Sequence, residues 1–242
     1  MSERRVLIVD FSADSRNRPF GSAVAAALPA GVDHEIVRCD AVDDWGRRAS
    51  EVSHLILSGS DIPLPRSEAW FEPTRRQVRT VIESGLPVFG ICFGHQLIVQ
   101  SLGAPDMVRR ADVGEFGITE LTPLPAFASD PVVGRGLGRP LRGYNLHADE
   151  VVAETAVPAL GLTLLARSEA CAVQAYHVAG RPVWGVQFHP ELTGEAVAAA
   201  VAVAPLSFGQ PAPDAAAIDR IAHGPSCRHP GIFAAFLAVD RR

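Results

Sequence analysis

Four short, continuous apolar runs punctuate the first hundred residues, and they restrict the fold more than any other feature of the chain. They read RRVLIVDF from Arg4 to Phe11, HEIVRCD from His34 to Asp40, HLILSG from His54 to Gly59 and PVFGI from Pro87 to Ile91. A strand with one wet face alternates apolar and polar residues, whereas an unbroken apolar run suits a strand covered on both faces, as in a parallel sheet. Helix-like text separates the runs. The clearest example spans about Ser67 to Ser84, where Trp70, Val78, Val81 and Ile82 form an apolar stripe. Pro73 falls in its first turns, and Gly85 with Pro87 supplies the stop. Strand and helix in alternation predict a doubly wound α/β fold, a mostly parallel central sheet flanked by helices, whose sites gather at the carboxyl ends of strands.

After a helix beginning near Gly94 the texture changes. GEFGITELT, LRGYNLHADEV, LTLLARS and AVQAYHV alternate more, and predict hairpin or meander strands forming a smaller antiparallel extension. PVWGVQFH then returns to the sheet. The alanine-rich run from Thr193 to Ala204 reads as a helix, Pro205 to Pro213 as a loop, and GIFAAFLAVDRR as a closing helix. A chain of 242 residues, 48% hydrophobic and 20% charged, can bury one large core. A single domain over 1–242 is therefore expected, with an extra loop or helical segment at about 205–230 before the closing helix.

Composition removes several function classes. Lysine is absent, which excludes Schiff-base chemistry and any lysine-dependent phosphate loop. Net charge is −5 and the arginines are scattered, so no nucleic-acid partner is expected. No stretch is apolar for long enough to cross a bilayer, and no basic flank with an apolar run opens the chain, so a cytoplasmic protein without a membrane partner is expected. Cys39, Cys92, Cys171 and Cys227 lie far apart with no C-x-x-C pair, which argues against a zinc ribbon or a disulfide scaffold. Cys227-Arg228-His229 is too short a fragment to specify a metal site. Neither metal nor cofactor is expected.

One cysteine has neighbours that point to chemistry. Gly90-Ile91-Cys92-Phe93-Gly94 places a nucleophile between flanking glycines where a predicted strand meets a predicted helix. Such a sharp turn holds the nucleophile at strained backbone angles, and the glycines let strand and helix approach closely. The helix N-terminus favours a thiolate. The N–H of Phe93 is then aimed to donate to a developing oxyanion, and Gly59, ending the strand HLILSG, offers a second N–H. Taken alone, a single cysteine is more often a buried structural residue; strand, glycines and helix together reverse that reading. In VWGVQFHPE, His189 and Glu191 stand two apart in an extended segment and project to the same side, so the carboxylate can hold the imidazole tautomer needed for proton transfer. An α/β-hydrolase places its acid before its histidine; here the order is reversed.

GICFGHQ at Gly90 to Gln96 and GVQFHPE at Gly185 to Glu191 together resemble the class I, or triad, glutamine amidotransferases. LSGS at Leu57 to Ser60, E-x-G at Glu115 to Gly117, HADEV at His147 to Val151 and SEACAVQAYH extend the likeness, and stand-alone proteins similar to the amidotransferase domain of GMP synthetase share the text most fully. The resemblance implies that Cys92 attacks the γ-carboxamide of glutamine, that His189 protonates departing ammonia, and that water releases glutamate from a γ-glutamyl thioester. It implies Gly59 and Phe93 as the oxyanion hole, and Ser60, Gln96, His147, Ala148 and Asp149 as substrate contacts. Two departures stand out. The oxyanion strand of the family often ends in consecutive glycines, whereas Ser58-Gly59-Ser60 keeps one, and the stretch from about Pro205 to Pro230 has no assigned role.

Three functions compete on this reading. The first is a glutaminase subunit that hands ammonia to a separate synthase partner, since no ATP-binding synthetase segment is recognisable. The second is a self-sufficient γ-glutamyl peptide hydrolase acting on glutathione-like or other γ-glutamyl amides through the same thioester. The third is a catalytically silent binding module, which the three residues Cys92, His189 and Glu191 oppose. Fold analogy alone does not identify the acceptor of the ammonia.

Overall fold

Branched and aromatic side chains occupy both faces of the central strands, and two separate apolar layers cover them. In a computed structural model that describes residues 4–13, 20–39, 47–62, 70–202 and 213–241, strands β1 (Arg5–Asp10), β2 (Asp33–Arg38), β3 (His54–Leu57) and β4 (Val88–Ile91) take up the four apolar runs. Asp40, Ser67 to Ala69 and 203–212 lie outside the described residues, and with them the outer ends of three predicted elements and all but the last residue of the predicted loop at 205–213. All four strands are parallel. Leu7, Val9, Leu55, Leu57 and Val88 join a cluster on one face, while Val6, Ile8, Ile56, Phe89 and Ile91 join another on the opposite face. A strand buried on both sides has no place for polar alternation, which is why the runs are unbroken.

Helix α1 (Phe20–Ala25) follows β1, α2 (Phe71–Glu83) follows β3, and α3 (Phe93–Leu102) follows β4. Helix α2 buries Phe71, Thr74, Val78, Val81 and Ile82, with Pro73 in the first turn, where a missing N–H costs no helical bond. Helix α3 is buried almost all round, so its sequence carries little amphipathic signal.

The later strands supply the antiparallel part of the fold in two places. β5 (Val108–Glu120) and β7 (Arg142–Val151) do form a separate antiparallel pair, with a register shift between Arg110 and Glu115. The other meander strands, β6 (Thr122–Pro123), β8 (Leu162–Arg167) and β9 (Ala175–Val178), instead extend the main sheet. Its order is β2-β1-β3-β4-β10-β9-β8-β6, with β10 (Val183–Val186) parallel to β4 and antiparallel to β9. Periodicity distinguishes a half-covered strand from a fully covered one, but not which sheet it joins.

Four further helices complete the described chain after a single turn, α4 (Val133–Gly136): α5 (Ala153–Leu160), α6 (Gly194–Val201), α7 (Ala215–His223) and α8 (Gly231–Leu237). Thr193 caps α6 by accepting from Ala196 N–H, and Asp214 caps α7 by accepting from Ala217 N–H. Helix α7 lies inside the stretch left without a role by the sequence. Its Ile221 packs with Val197 and Val201 of α6 and with Tyr144 of β7, so the stretch covers the β5–β7 pair. Helix α8 buries Ile232, Phe233 and Phe236 under the sheet.

Candidate active site

Three neighbouring strands, β3, β4 and β10, run parallel and end at the same edge of the sheet, which brings Gly59, Cys92 and His189 together from far apart in the chain. Cys92 stands between β4 and α3 with φ 49° and ψ −100°, and no other non-glycine described residue has positive φ. An L-residue is held there only when its surroundings over-determine it. The Cys92 N–H donates to Val186 O at 2.8 Å and Gln96 N–H donates to Cys92 O at 3.1 Å, pinning the turn on both sides. Gly94 N–H donates to Ser58 O at 3.1 Å, tying the helix start to the end of β3. The glycines are steric necessities. A Cβ on Gly90 would stand 2.5 Å from Gly94 O, and one on Gly94 would enter Leu57 O. Phe93 N–H, first in α3, has no carbonyl one turn back within the helix.

His189 continues the line of β10. Its N–H donates to Tyr144 O at 2.7 Å, and its Nδ1 lies 2.8 Å from Glu191 Oε1, with both side chains buried. Because the carboxylate accepts, Nδ1 carries a proton and Nε2 remains for exchange. Nε2 has no hydrogen-bond partner among the described residues. Burial by itself lowers the imidazole pKa, but attraction to Glu191 and to Cys92 outweighs it and pushes His189 up to about 10. Phe20 stacks on the ring, centroids 5.6 Å apart, and a Cβ on Gly59 would come within 2.7 Å of His189 Cε1. The one glycine kept in Ser58-Gly59-Ser60 is thus the one whose side-chain space the imidazole fills. Ser58 Oγ donates to Gly59 O at 2.8 Å and fixes that peptide.

The proposed substrate contacts divide into two groups. Gln96 lies on α3 facing β7, where its Nε2 donates to Asp149 O at 2.8 Å and to Gln187 Oε1 at 2.9 Å. Leu146 O is 4.0 Å from Cys92 Sγ, so the β7 segment bearing Ala148 runs past the sulfur. By contrast, Ser60 Oγ donates to Phe11 O and accepts from Ile62 N–H, and the Asp149 carboxylate pairs with Arg110 at 3.4 Å. The His147 ring is held between Glu115 and Asp149 O rather than at the sulfur. His95 is a core residue, packed on Tyr176 with centroids 4.7 Å apart, and burial drives its pKa down to about 3.

Four contacts escape a reading of the sequence. Gln187 Nε2 lies 3.5 Å from Cys92 Sγ, a role hidden inside a motif noticed for its histidine. Arg228 Nε donates to Glu191 O at 3.0 Å and its Nη2 to Ala26 O at 3.0 Å, while His229 N–H donates to Pro190 O at 2.9 Å. Residues of the unassigned stretch therefore bracket the His189–Glu191 segment. Glu115, His147 and Cys171 place one ligand-type atom each within 4.8 Å of one another and are all buried, the only such group of three among the described residues.

Comparison with known proteins places the chain in a family. A family model described as glutamine amidotransferase class-I matches residues 20–201. The chain is 41% identical over 110 residues to a GMP synthase (glutamine-hydrolyzing) subunit of Thermococcus kodakarensis, covering 46% of this chain and 53% of that one. It is 32% identical over 203 residues to GMP synthase (glutamine-hydrolyzing) of Albidiferax ferrireducens, covering 78% of this chain and 34% of that one. The chain thus spans about half of the first relative and about a third of the second. A crystal structure of a glutamine amidotransferase from Methylobacillus flagellatus superposes with a TM-score of 0.72 at 21% identity, over 100% of this chain and 97% of that one, which is a likeness of fold.

Proposed function

This chain belongs to the class-I glutamine amidotransferases, and from that premise we propose that it hydrolyses the side-chain amide of glutamine and passes the ammonia to a separate synthase. The observation that carries the proposal is Cys92 held at φ 49° between β4 and α3, beside an imidazole whose other nitrogen is fixed by Glu191. In the proposed course the Cys92 thiolate attacks the amide carbon, and the carbonyl electrons move onto oxygen, which Phe93 and Gly59 N–H groups receive. The proton on His189 Nε2 goes to the departing nitrogen, which leaves as ammonia when the tetrahedral adduct collapses to a γ-glutamyl thioester. Neutral His189 then takes a proton from water as the hydroxide attacks. Glutamate leaves, and thiolate and imidazolium are restored.

Both hydrogens of Gln96 Nε2 are committed within the protein, which leaves its Oε1 to accept from the ammonium of an amino-acid substrate. Leu146 to Asp149 offers backbone groups along the other wall. The names of the two relatives, both glutamine-hydrolyzing, support glutamine as the amide and a synthase as the partner.

Incubation of the purified protein with L-glutamine, glutathione and other γ-glutamyl amides, with glutamate and ammonia measured, tests the proposal. Glutamine turnover that rises on adding a synthase supports it. Strong turnover of glutathione without turnover of glutamine would replace the reading of a synthase-coupled glutaminase with that of a γ-glutamyl peptide hydrolase. No hydrolysis of any of them, with no labelling of Cys92 by a γ-glutamyl affinity reagent, would sink the enzymatic reading.

A further inference from the structure

We infer that Glu115, on β5, is a positioning residue for Cys92 that acts through His147, Gln96 and Gln187, an inference resting on the reading of Cys92 as nucleophile. A continuous hydrogen-bonded path joins the two side chains. His147 Nε2 is 3.0 Å from Glu115 Oε2, and His147 Nδ1 is 3.0 Å from Asp149 O. Gln96 Nε2 reaches the same carbonyl at 2.8 Å and Gln187 Oε1 at 2.9 Å, and Gln187 Nε2 reaches Cys92 Sγ at 3.5 Å.

What makes this path more than a list of contacts is that each link dictates the orientation of the next. A backbone carbonyl only accepts, so Asp149 O fixes Gln96 with its amide nitrogen inward. That nitrogen needs an acceptor on Gln187, which turns the Gln187 oxygen towards Gln96 and its nitrogen towards the sulfur. Gln187 is therefore a donor to Cys92, and a donor to sulfur is worth most when the sulfur is anionic. At the other end, Gln174 Nε2 also donates to Glu115 Oε2, at 2.6 Å. Gln174 and His147 thus converge on one oxygen of Glu115. With Glu115 at one nitrogen and Asp149 O at the other, the His147 ring is held in a single orientation. Remove the carboxylate, and the ring loses its anchor at Nε2. The Asp149 carbonyl that sets the orientation of Gln96 is then no longer steadied by a fixed ring.

Alkylation of Cys92 by iodoacetamide at neutral pH, followed on the Cys92 peptide by mass spectrometry, reads this path without any need for substrate. Glu115→Leu and Gln187→Leu are each expected to slow alkylation about tenfold, the worth of one hydrogen bond to a charged group. Because both cut one path, the double variant is expected to be no slower than the worse single variant. Cys171→Ala, which removes the cluster member outside the path, is expected to leave the rate unchanged. An unaltered rate in Glu115→Leu, or losses that multiply in the double variant, would overturn the inference. So would one equivalent of zinc in the purified protein that disappears in Cys171→Ala, since Glu115 and His147 would then be metal ligands. Should Glu115→Leu not fold, His147→Leu enters the same cycle in its place. A protein that meets these alkylation expectations yet hydrolyses no γ-glutamyl amide would discard the proposed function and support the path.

Discussion

A sulfur, an imidazole and a carboxylate differ in what their removal does. Cys92→Ala takes one atom from the end of a short side chain, leaves the turn hydrogen bonds untouched, and is expected to abolish glutamate release while changing the circular dichroism spectrum little. Glu191→Gln keeps an acceptor for His189 Nδ1 and loses only charge, so kcat is expected to fall by roughly 10²-fold, short of the loss in Cys92→Ala. Its effect on stability has a definite sign. The folded pKa of His189 is raised from 6.5 to about 10, so the folded state holds a proton that the unfolded state has released in that interval. The stabilisation is complete below pH 6.5 and is lost as pH rises through about 10. Urea midpoints measured across that interval are expected to fall less in Glu191→Gln than in the wild type, because the main attraction raising the pKa is gone.

The turn between β4 and α3 is where backbone, rather than side chain, decides the outcome. Gly94→Ala drives a Cβ into Leu57 O, a backbone atom that cannot swing aside, so it is expected to cost about 1–3 kcal/mol in urea denaturation and to cost more in activity than Cys92's neighbours would suggest. Thr193→Ala, which removes the cap of α6 outside the site, is expected to cost about 1 kcal/mol with turnover little altered. These elements were legible because their signals are local: an unbroken apolar run, a pair of glycines round a cysteine, a histidine and a glutamate two apart. The join between β9 and β10 was not, since neither strand's periodicity names its neighbour. Gln187 escaped for a related reason. Whether its nitrogen or its oxygen faces the sulfur is set by the Asp149 carbonyl through Gln96, and that fact exists only in three dimensions. Arg228 was illegible because its partners, Glu191 O and Ala26 O, are backbone atoms with no counterpart in the side-chain text.

Buried titrating groups give the molecule as a whole a bounded range of stability. His54, wedged against Phe236 and bonded to Val239 O, has its pKa lowered from 6.5 to about 4, first by burial, and His95 falls to about 3 for the same leading reason. Between those values and pH 6.5 the unfolded chain binds protons that the folded chain refuses, so stability drops as pH falls. On the alkaline side His189 acts in the opposite sense, and Cys171, raised from 9.0 to about 12 by burial, joins it once the unfolded thiol ionises. Denaturation midpoints are therefore expected to peak near pH 6.5, and His54→Gln is expected to flatten the acid limb. The bracket formed by Arg228 and His229 adds a consequence in time. Cys92, His189 and Glu191 leave the ribosome before the residues that hold the last two in place. In a nascent chain the His189–Glu191 segment thus stays unbracketed until later-made residues fold back across the end of the sheet.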